Sequence, residues 1–168
     1  MTTGEPADVH PTGDRPEANR LLLDVMLGKL AVYLRMCGYD AAYVGDRGVD
    51  HDDERIRTLA REEGRRLLSR DSQLIAGTDD GVLLTEREVA EQLKELRAAG
   101  FELALADPPT RCGRCNGPLE PVADDDPRPD YAPPADEFDC WRCEECGQWF
   151  WRGSHWDRVR DRLAAASA

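Results

Sequence analysis

The chain has 168 residues, enough for one ordinary domain and a small appended module, and its 40% hydrophobic content argues against a wholly disordered protein. A formal net charge of −12 speaks against a uniformly basic nucleic-acid binder. No stretch is long and apolar enough for a bilayer span or a secretory leader, so a soluble, cytoplasmic protein with no membrane partner is expected.

Residues 1–19 carry four acids against one arginine and few apolar side chains, which predicts a disordered acidic tail. Residues 20–24, Arg-Leu-Leu-Leu-Asp, form an apolar run closed by an acid. That is the pattern of a buried parallel strand delivering the Asp24 carboxylate at its carboxyl end. Leu27, Leu30, Ala31, Leu34 and Cys37 then recur at helical spacing up to Gly38, with Cys37 reading as a small buried hydrophobe. Residues 41–44 predict a second strand. Asp52 or Asp53 can cap the next helix, whose inner stripe is Ile56, Leu59, Ala60 and Glu63 and whose stop is Gly64.

Residues 66–69 repeat the first strand pattern and lead to Asp71. A further strand at Val82-Leu83-Leu84 precedes a helix from about Glu86 to Ala99 with Val89, Leu93 and Leu96 inside. Phe101 to Leu105 predict a last strand before the Asp107-Pro108-Pro109 break. Strands alternating with helices over residues 20–106 imply an α/β domain whose parallel sheet is covered on both faces.

Residues 107–168 read as a metal-stapled module. Cys112-x-x-Cys115 and Cys143-x-x-Cys146 suit tetrahedral Zn²⁺, because each short turn aims two sulfurs at one ion. Four sulfur ligands leave no open coordination position, so this zinc is structural. Cys140 has the same spacing to Cys143, but Gly147 after Cys146 gives the tight turn expected behind a last ligand. His155 reads as a structural contact or a reserve ligand. The insert at residues 123–139, with seven acids against one arginine, is expected to stay mobile, and a C-terminal helix completes the module. Residues 140–168 hold five arginines against four acids, so a polyanion could meet them without crossing the insert.

In open parallel sheets ligands bind beyond the carboxyl ends of the strands, where Asp24, Asp71 and Asp53, or its neighbour Asp52, are expected. Gathered carboxylates repel one another and are normally compensated by Mg²⁺ or Mn²⁺, which points to phosphodiester chemistry. Each acid also has an ordinary reading as a cap or strand terminator. Asp46, Asp50, Asp79 and Asp80 are weaker candidates, although Asp79 or Asp80 could supply a fourth acid. Lys29, one turn past Asp24, could meet a phosphate. No acyl-transfer motif or nucleotide phosphate loop is present.

Leu-Leu-Leu-Asp24-Val-Met-Leu-Gly-Lys29-Leu-Ala-Val-Tyr-Leu-Arg35, Gly38-Tyr39-Asp40, Leu67-Leu68-Ser69-Arg70-Asp71, the paired cysteines and Trp151-Arg152-Gly153-Ser154-His155-Trp156 together resemble the Mut-seven C-terminal RNase domain family. The resemblance runs from about residue 20 to about residue 160. It implies a three-layer α/β/α PIN-like nuclease fold with a zinc ribbon behind it, and metal-dependent RNA cleavage. Asp24, Asp53 and Asp71 stand at the matching acidic positions, and Lys29 and Arg35 at the matching basic ones. Where many PIN-like sites carry a further acid two residues past the third, this chain has Gln73.

The expected function is therefore a metal-dependent ribonuclease acting on single-stranded RNA. Trp149, Trp151 and Trp156 would stack bases, His155 would assist, and Arg152, Arg158 and Arg160 would contact phosphate. Tryptophans that merely pack the ribbon are the ordinary alternative for some of these. The competing function is a non-catalytic adaptor that binds RNA or protein through the ribbon.

Overall fold

A computed structural model describes residues 20–49 and 52–166. The tail expected over residues 1–19, together with Asp50 and His51, lies outside the described residues. Strands β1 (Arg20–Leu23), β2 (Asp40–Tyr43), β3 (Arg66–Ser69) and β4 (Gly81–Leu83) form a parallel sheet in the order β2-β1-β3-β4. A 3-10 turn at Val25–Leu27 leads into α1 (Gly28–Met36), followed in chain order by α2 (Asp53–Glu63), α3 (Ser72–Ala76), α4 (Val89–Ala98) and α5 (Ser154–Ala166). Strands β5 (Leu119–Pro121), β6 (Cys140–Cys143) and β7 (Trp149–Trp151) make a separate antiparallel sheet.

Alternation along the leucine runs builds the three layers. Leu21, Leu23 and Leu68 face α1, α4 and α5, where they meet Leu30, Leu34, Leu93, Leu96, Val159 and Leu163. Leu22 and Leu67 point the other way, against Ile56 and Ala60 of α2 and Leu74 of α3. Both faces of β1 are thus fully buried, and each such leucine contributes about 1.5–3 kcal/mol relative to exposure. Cys37 packs against the first of these cores, and burial pushes its thiol up to about 12, as expected of an inert hydrophobe. Among the described residues no helix is long and apolar enough to cross a membrane.

Several local expectations are corrected. Phe101–Leu105 forms no strand: Phe101 and Leu103 are buried and Glu102 exposed, but the Phe101 N–H donates to the Leu96 carbonyl of α4, the Leu103 carbonyl accepts from Arg97, and Glu102 bonds a tyrosine rather than a neighbouring strand. The Tyr39 hydroxyl donates to the Glu102 carbonyl at 3.2 Å and receives its N–H at 3.1 Å. The short α3 has too few residues to show a period in sequence. The C-terminal helix, assigned by sequence to the ribbon, buries Val159, Leu163 and Ala166 in the main core instead. The acidic insert is anchored: Tyr131 stacks on Trp151 with ring centroids 6.2 Å apart, and its hydroxyl accepts the Trp149 N–H at 3.1 Å. Arg128 lies over the Trp149 ring and donates to the Pro133 carbonyl.

The ribbon plugs an open edge of the α/β sheet. At Ala41 on edge strand β2, the N–H donates to Asn116 Oδ1 at 2.9 Å and the carbonyl accepts Arg35 Nε at 2.8 Å. Arg35 Nη1 also donates to the Gly113 carbonyl at 3.0 Å, so one guanidinium ties α1, β2 and the ribbon together. Edge backbone groups left bare would invite pairing with another chain. Burial lowers the pKa of Arg35, with Asp46 the largest opposing influence. Arg35→Met is expected to lower unfolding free energy by about 2–4 kcal/mol in a urea titration, because two buried carbonyls lose their donor. A change within error would sink this structural role.

Glu63, at the end of α2, accepts Arg47 Nη1 at 2.6 Å and Arg65 Nε at 2.6 Å. Arg47 first, and then Arg65 against a burial cost, hold its carboxyl down at about 2. A depressed folded-state pKa contributes stability that is complete above the ordinary value of 4.5 and lost as pH falls towards 2. The urea midpoint should therefore drop across that window, and Glu63→Gln should flatten part of the drop; an unchanged slope in the variant would contradict the assignment.

Candidate functional site

The strand order makes the place of a ligand site a matter of topology. The chain leaves β1 towards β2 and returns on the far side of β1 to β3, so β1 and β3 flank the switch point at their carboxyl ends. Asp24 follows β1 there, and Asp71 lies two residues beyond β3. Asp24 is 5% exposed: its Oδ1 accepts the Val25 N–H at 2.7 Å, and its Oδ2 accepts the Ser69 hydroxyl at 2.6 Å. Ser69 Oγ in turn accepts the Asp71 N–H at 2.9 Å. Asp71, half-exposed, caps α3 by accepting the Gln73 and Leu74 N–H groups on Oδ1. One buried hydroxyl thus links the two predicted acids.

Asp53 shares this edge, because α2 leaves the carboxyl end of β2, but its carboxylate makes no hydrogen bond or ion pair among the described residues. Asp52, not Asp53, caps the helix by accepting the Glu54 and Arg55 N–H groups. Asp24, Asp53 and Asp71 do not form a close group of three among the described residues. Asp79 and Asp80 precede β4 and so belong to the opposite, amino edge, where Asp80 pairs with Arg66. Asp46 follows β2 at the carboxyl edge and is exposed. Lys29 is exposed on the first turn of α1 and unpaired among the described residues, as is the half-buried Arg70 between Ser69 and Asp71.

Ser69 had no role in the sequence reading, although Ser-Arg-Asp after an apolar strand was its available signal. The serine holds the Asp24 carboxylate in one orientation. Removing such a supporting group typically costs about 10–100-fold in metal affinity or activity. If these acids hold a divalent cation, Ser69→Ala is expected to weaken Mn²⁺ binding by that factor in a direct titration. Unaltered Mn²⁺ affinity in the variant would contradict it.

The ribbon carries the other cluster. The Sγ atoms of Cys112, Cys115, Cys143 and Cys146 all lie within 4.8 Å of one another, with 3.7 Å between Cys112 and Cys146 and 3.4 Å between Cys115 and Cys143. Tetrahedral zinc with Zn–S of about 2.3 Å implies sulfur separations near 3.8 Å, so the donor set fits Zn²⁺ in number, type and spacing. Each knuckle turns on a left-handed residue, Asn116 at φ 74° and Gly147 at φ 81°. A Cβ at Gly117 would come 2.9 Å from Cys143 Sγ, which explains the glycine behind the first knuckle. Burial pushes the Cys112 thiol up, whereas at Cys143 burial is outweighed by the Cys146 and Glu145 N–H groups and the thiol falls to about 7. Cys140 stands outside the cluster, accepting from Arg128.

The residues expected to meet RNA divide. Arg35 is 4% exposed and committed to the backbone carbonyls of Ala41 and Gly113, so it is corrected from an RNA contact to a joint between the two sheets. Arg152 pairs with Asp107 and lies over the Trp141 ring. Trp149 is 5% exposed between Arg128 and Arg142, a packing tryptophan. Trp151, His155 and Trp156 instead line a cavity between α1 and the ribbon.

Compared with known families, residues 19–163 match the family described as Mut7-C RNAse domain. No curated protein and no solved structure matches the chain.

Proposed function

Because the chain belongs to the Mut7-C RNAse domain family, we propose that it is a metal-dependent ribonuclease whose reaction is centred on Asp24 and Asp71. The observation that carries this reading is the placement of Asp24 and Asp71 at the topological switch point, where Ser69 Oγ donates to the buried Asp24 carboxylate and accepts the backbone N–H of Asp71. The donors are hard oxygens with lone pairs still free, which fits Mg²⁺ or Mn²⁺ held by one or two carboxylates and substrate phosphate. When bound, such an ion supplies activated water and neutralises charge on the leaving oxygen.

The protein's own groups do the rest. Ser69 fixes Asp24 before substrate arrives, so little reorganisation is needed at the reaction. Asp71 sits at the mouth of the site, anchored by its cap bonds through one oxygen while the other remains free to bind. Asp53 completes the acidic edge, and Lys29 and Arg70 offer cations to the phosphates on either side of the cut. Structural zinc on Cys112, Cys115, Cys143 and Cys146 keeps the ribbon beside this edge domain, where Trp151, His155 and Trp156 aid RNA binding. The test is cleavage of a labelled single-stranded RNA by the purified protein with Mn²⁺ or Mg²⁺ and with neither. Metal-dependent cleavage supports the nuclease; retention of RNA without cleavage in any metal would leave a binding adaptor.

A further inference from the structure

We propose that the cavity between α1 and the ribbon holds one unpaired nucleobase of the strand being cut; the inference rests on the nuclease reading above. The cavity measures about 270 Å³, below the roughly 300–1,000 Å³ usual for whole small-molecule sites. Val32 and Met36 of α1 form an aliphatic wall, and Phe150, Trp151 and Trp156 an aromatic one. A planar ring that is apolar on its faces and polar at its edge suits such a chamber. Aromatic platforms stack any base, because every base has a π face.

The aromatic wall is held in place from behind. Tyr131 of the acidic insert stacks on Trp151 at 6.2 Å and 28° while Trp151 also lines the cavity, so the platform is set before a ligand arrives. The rim is cationic. Arg114, between the first two zinc ligands, is exposed and donates to Gln148 Oε1 at 3.0 Å, bracing one knuckle against the other. It pairs with no carboxylate among the described residues, which leaves its guanidinium for a phosphate. An apolar peptide would fill the chamber equally well but would give this cation nothing to meet.

The cavity is also aligned with the reaction edge. Lys29, Val32 and Met36 recur at three- and four-residue spacing and so share one face of α1. That helix begins four residues past Asp24, after the 3-10 turn, and Val32 lies about 6 Å along it at 1.5 Å per residue. A strand with its base in the chamber can follow this face, pass Lys29 and present a phosphodiester a few nucleotides away at Asp24. The chamber would therefore set the distance between the held base and the cut.

The test uses full-length, zinc-loaded Asp24→Asn protein, so that RNA is bound and not cut, with tryptophan fluorescence and anisotropy as readouts. A labelled oligoadenylate is compared with the same backbone carrying abasic residues. The base-bearing strand is expected to bind about tenfold tighter or more. Val32→Phe, which fills the chamber from the helix side, is expected to abolish that preference. Arg114→Ala should weaken both strands and lower the salt dependence by about one phosphate contact. The deoxy strand of the same sequence separates sources: a base preference in both supports base recognition, and one confined to the ribose strand supports it and assigns RNA.

Equal affinity for base-bearing and abasic strands, or a preference that Val32→Phe leaves intact, overturns the proposal. So does absence of RNA binding, which would return the chamber to an apolar peptide. The nuclease reading fails separately: wild-type protein that never cleaves yet keeps the base preference retains the chamber, and cleavage without base preference retains only the nuclease.

Discussion

Asp24→Asn is expected to reduce metal-dependent cleavage of single-stranded RNA by on the order of a thousandfold or more, because a bound ion supplies several kcal/mol of charge stabilisation in the transition state. The fold should survive. The amide oxygen still accepts the Val25 N–H, and the amide group can donate to Ser69 Oγ, which accepts a single hydrogen bond in the native site. The carboxylate charge alone is lost, at a position 5% exposed. Asp71→Asn should follow the same direction with a smaller loss, since that acid is half-exposed and water can take over part of its role. The measurement is the single-turnover rate at saturating Mn²⁺, alongside the melting temperature. Cleavage by Asp24→Asn at the wild-type rate would remove the reaction from this edge of the sheet.

Zinc removal is expected to have the second large effect. Structural zinc sites contribute about 10–16 kcal/mol on binding, comparable to the whole stability of about 5–15 kcal/mol typical of a domain. A ribbon without its ion should therefore dissolve, and Cys112→Ser should act as the chelator does. The consequence reaches the α/β domain through two contacts. Asn116 no longer covers the Ala41 N–H, and Arg35 loses the Gly113 carbonyl. Two such losses, at about 1–3 kcal/mol each, correspond to a fall of roughly 4–24 °C in melting temperature.

Hydrogen exchange gives the spatial readout. Protection should vanish over residues 107–153 and persist in α5, because Val159, Leu163 and Ala166 are packed in the main core rather than on the ribbon. The sequence division, with the C-terminal helix grouped with the ribbon, would have that helix loosen too. An unchanged melting profile with chelator would contradict the whole account of the ribbon.

Much of the fold was legible because its signals are local. The leucine runs ending in Asp24 and Asp71, the helical period from Leu27 to Cys37, and the spacing of Cys112, Cys115, Cys143 and Cys146 each reflect a physical rule acting within a few residues. The strand at Phe101–Leu105 was misread for the same reason. Its period-two pattern is real, but a strand also needs a neighbour, and Tyr39 takes that neighbour's place from 63 residues away. Arg35 was expected at RNA only because it stands at a matching basic position of the resemblance, and no local signal shows that its guanidinium is committed to a ribbon carbonyl 78 residues away.

By itself, then, the sequence determined the alternating α/β plan, the two buried leucine faces of the central strand, the acids that end β1 and follow β3, and the four sulfurs that could hold a metal ion. Burial period, capping chemistry and ligand spacing are properties of neighbouring residues, so they can be read along the chain. Tertiary structure decided the strand order that brings Asp24 and Asp71 to one switch point and the Ser69 hydroxyl that joins them. It also decided the docking of the ribbon on edge strand β2 and the chamber that this docking encloses against α1. Those depend on hydrogen bonds between residues 45 to 78 apart and on walls that α1 shares with the far end of the chain, and no local propensity specifies which distant partner a side chain will find.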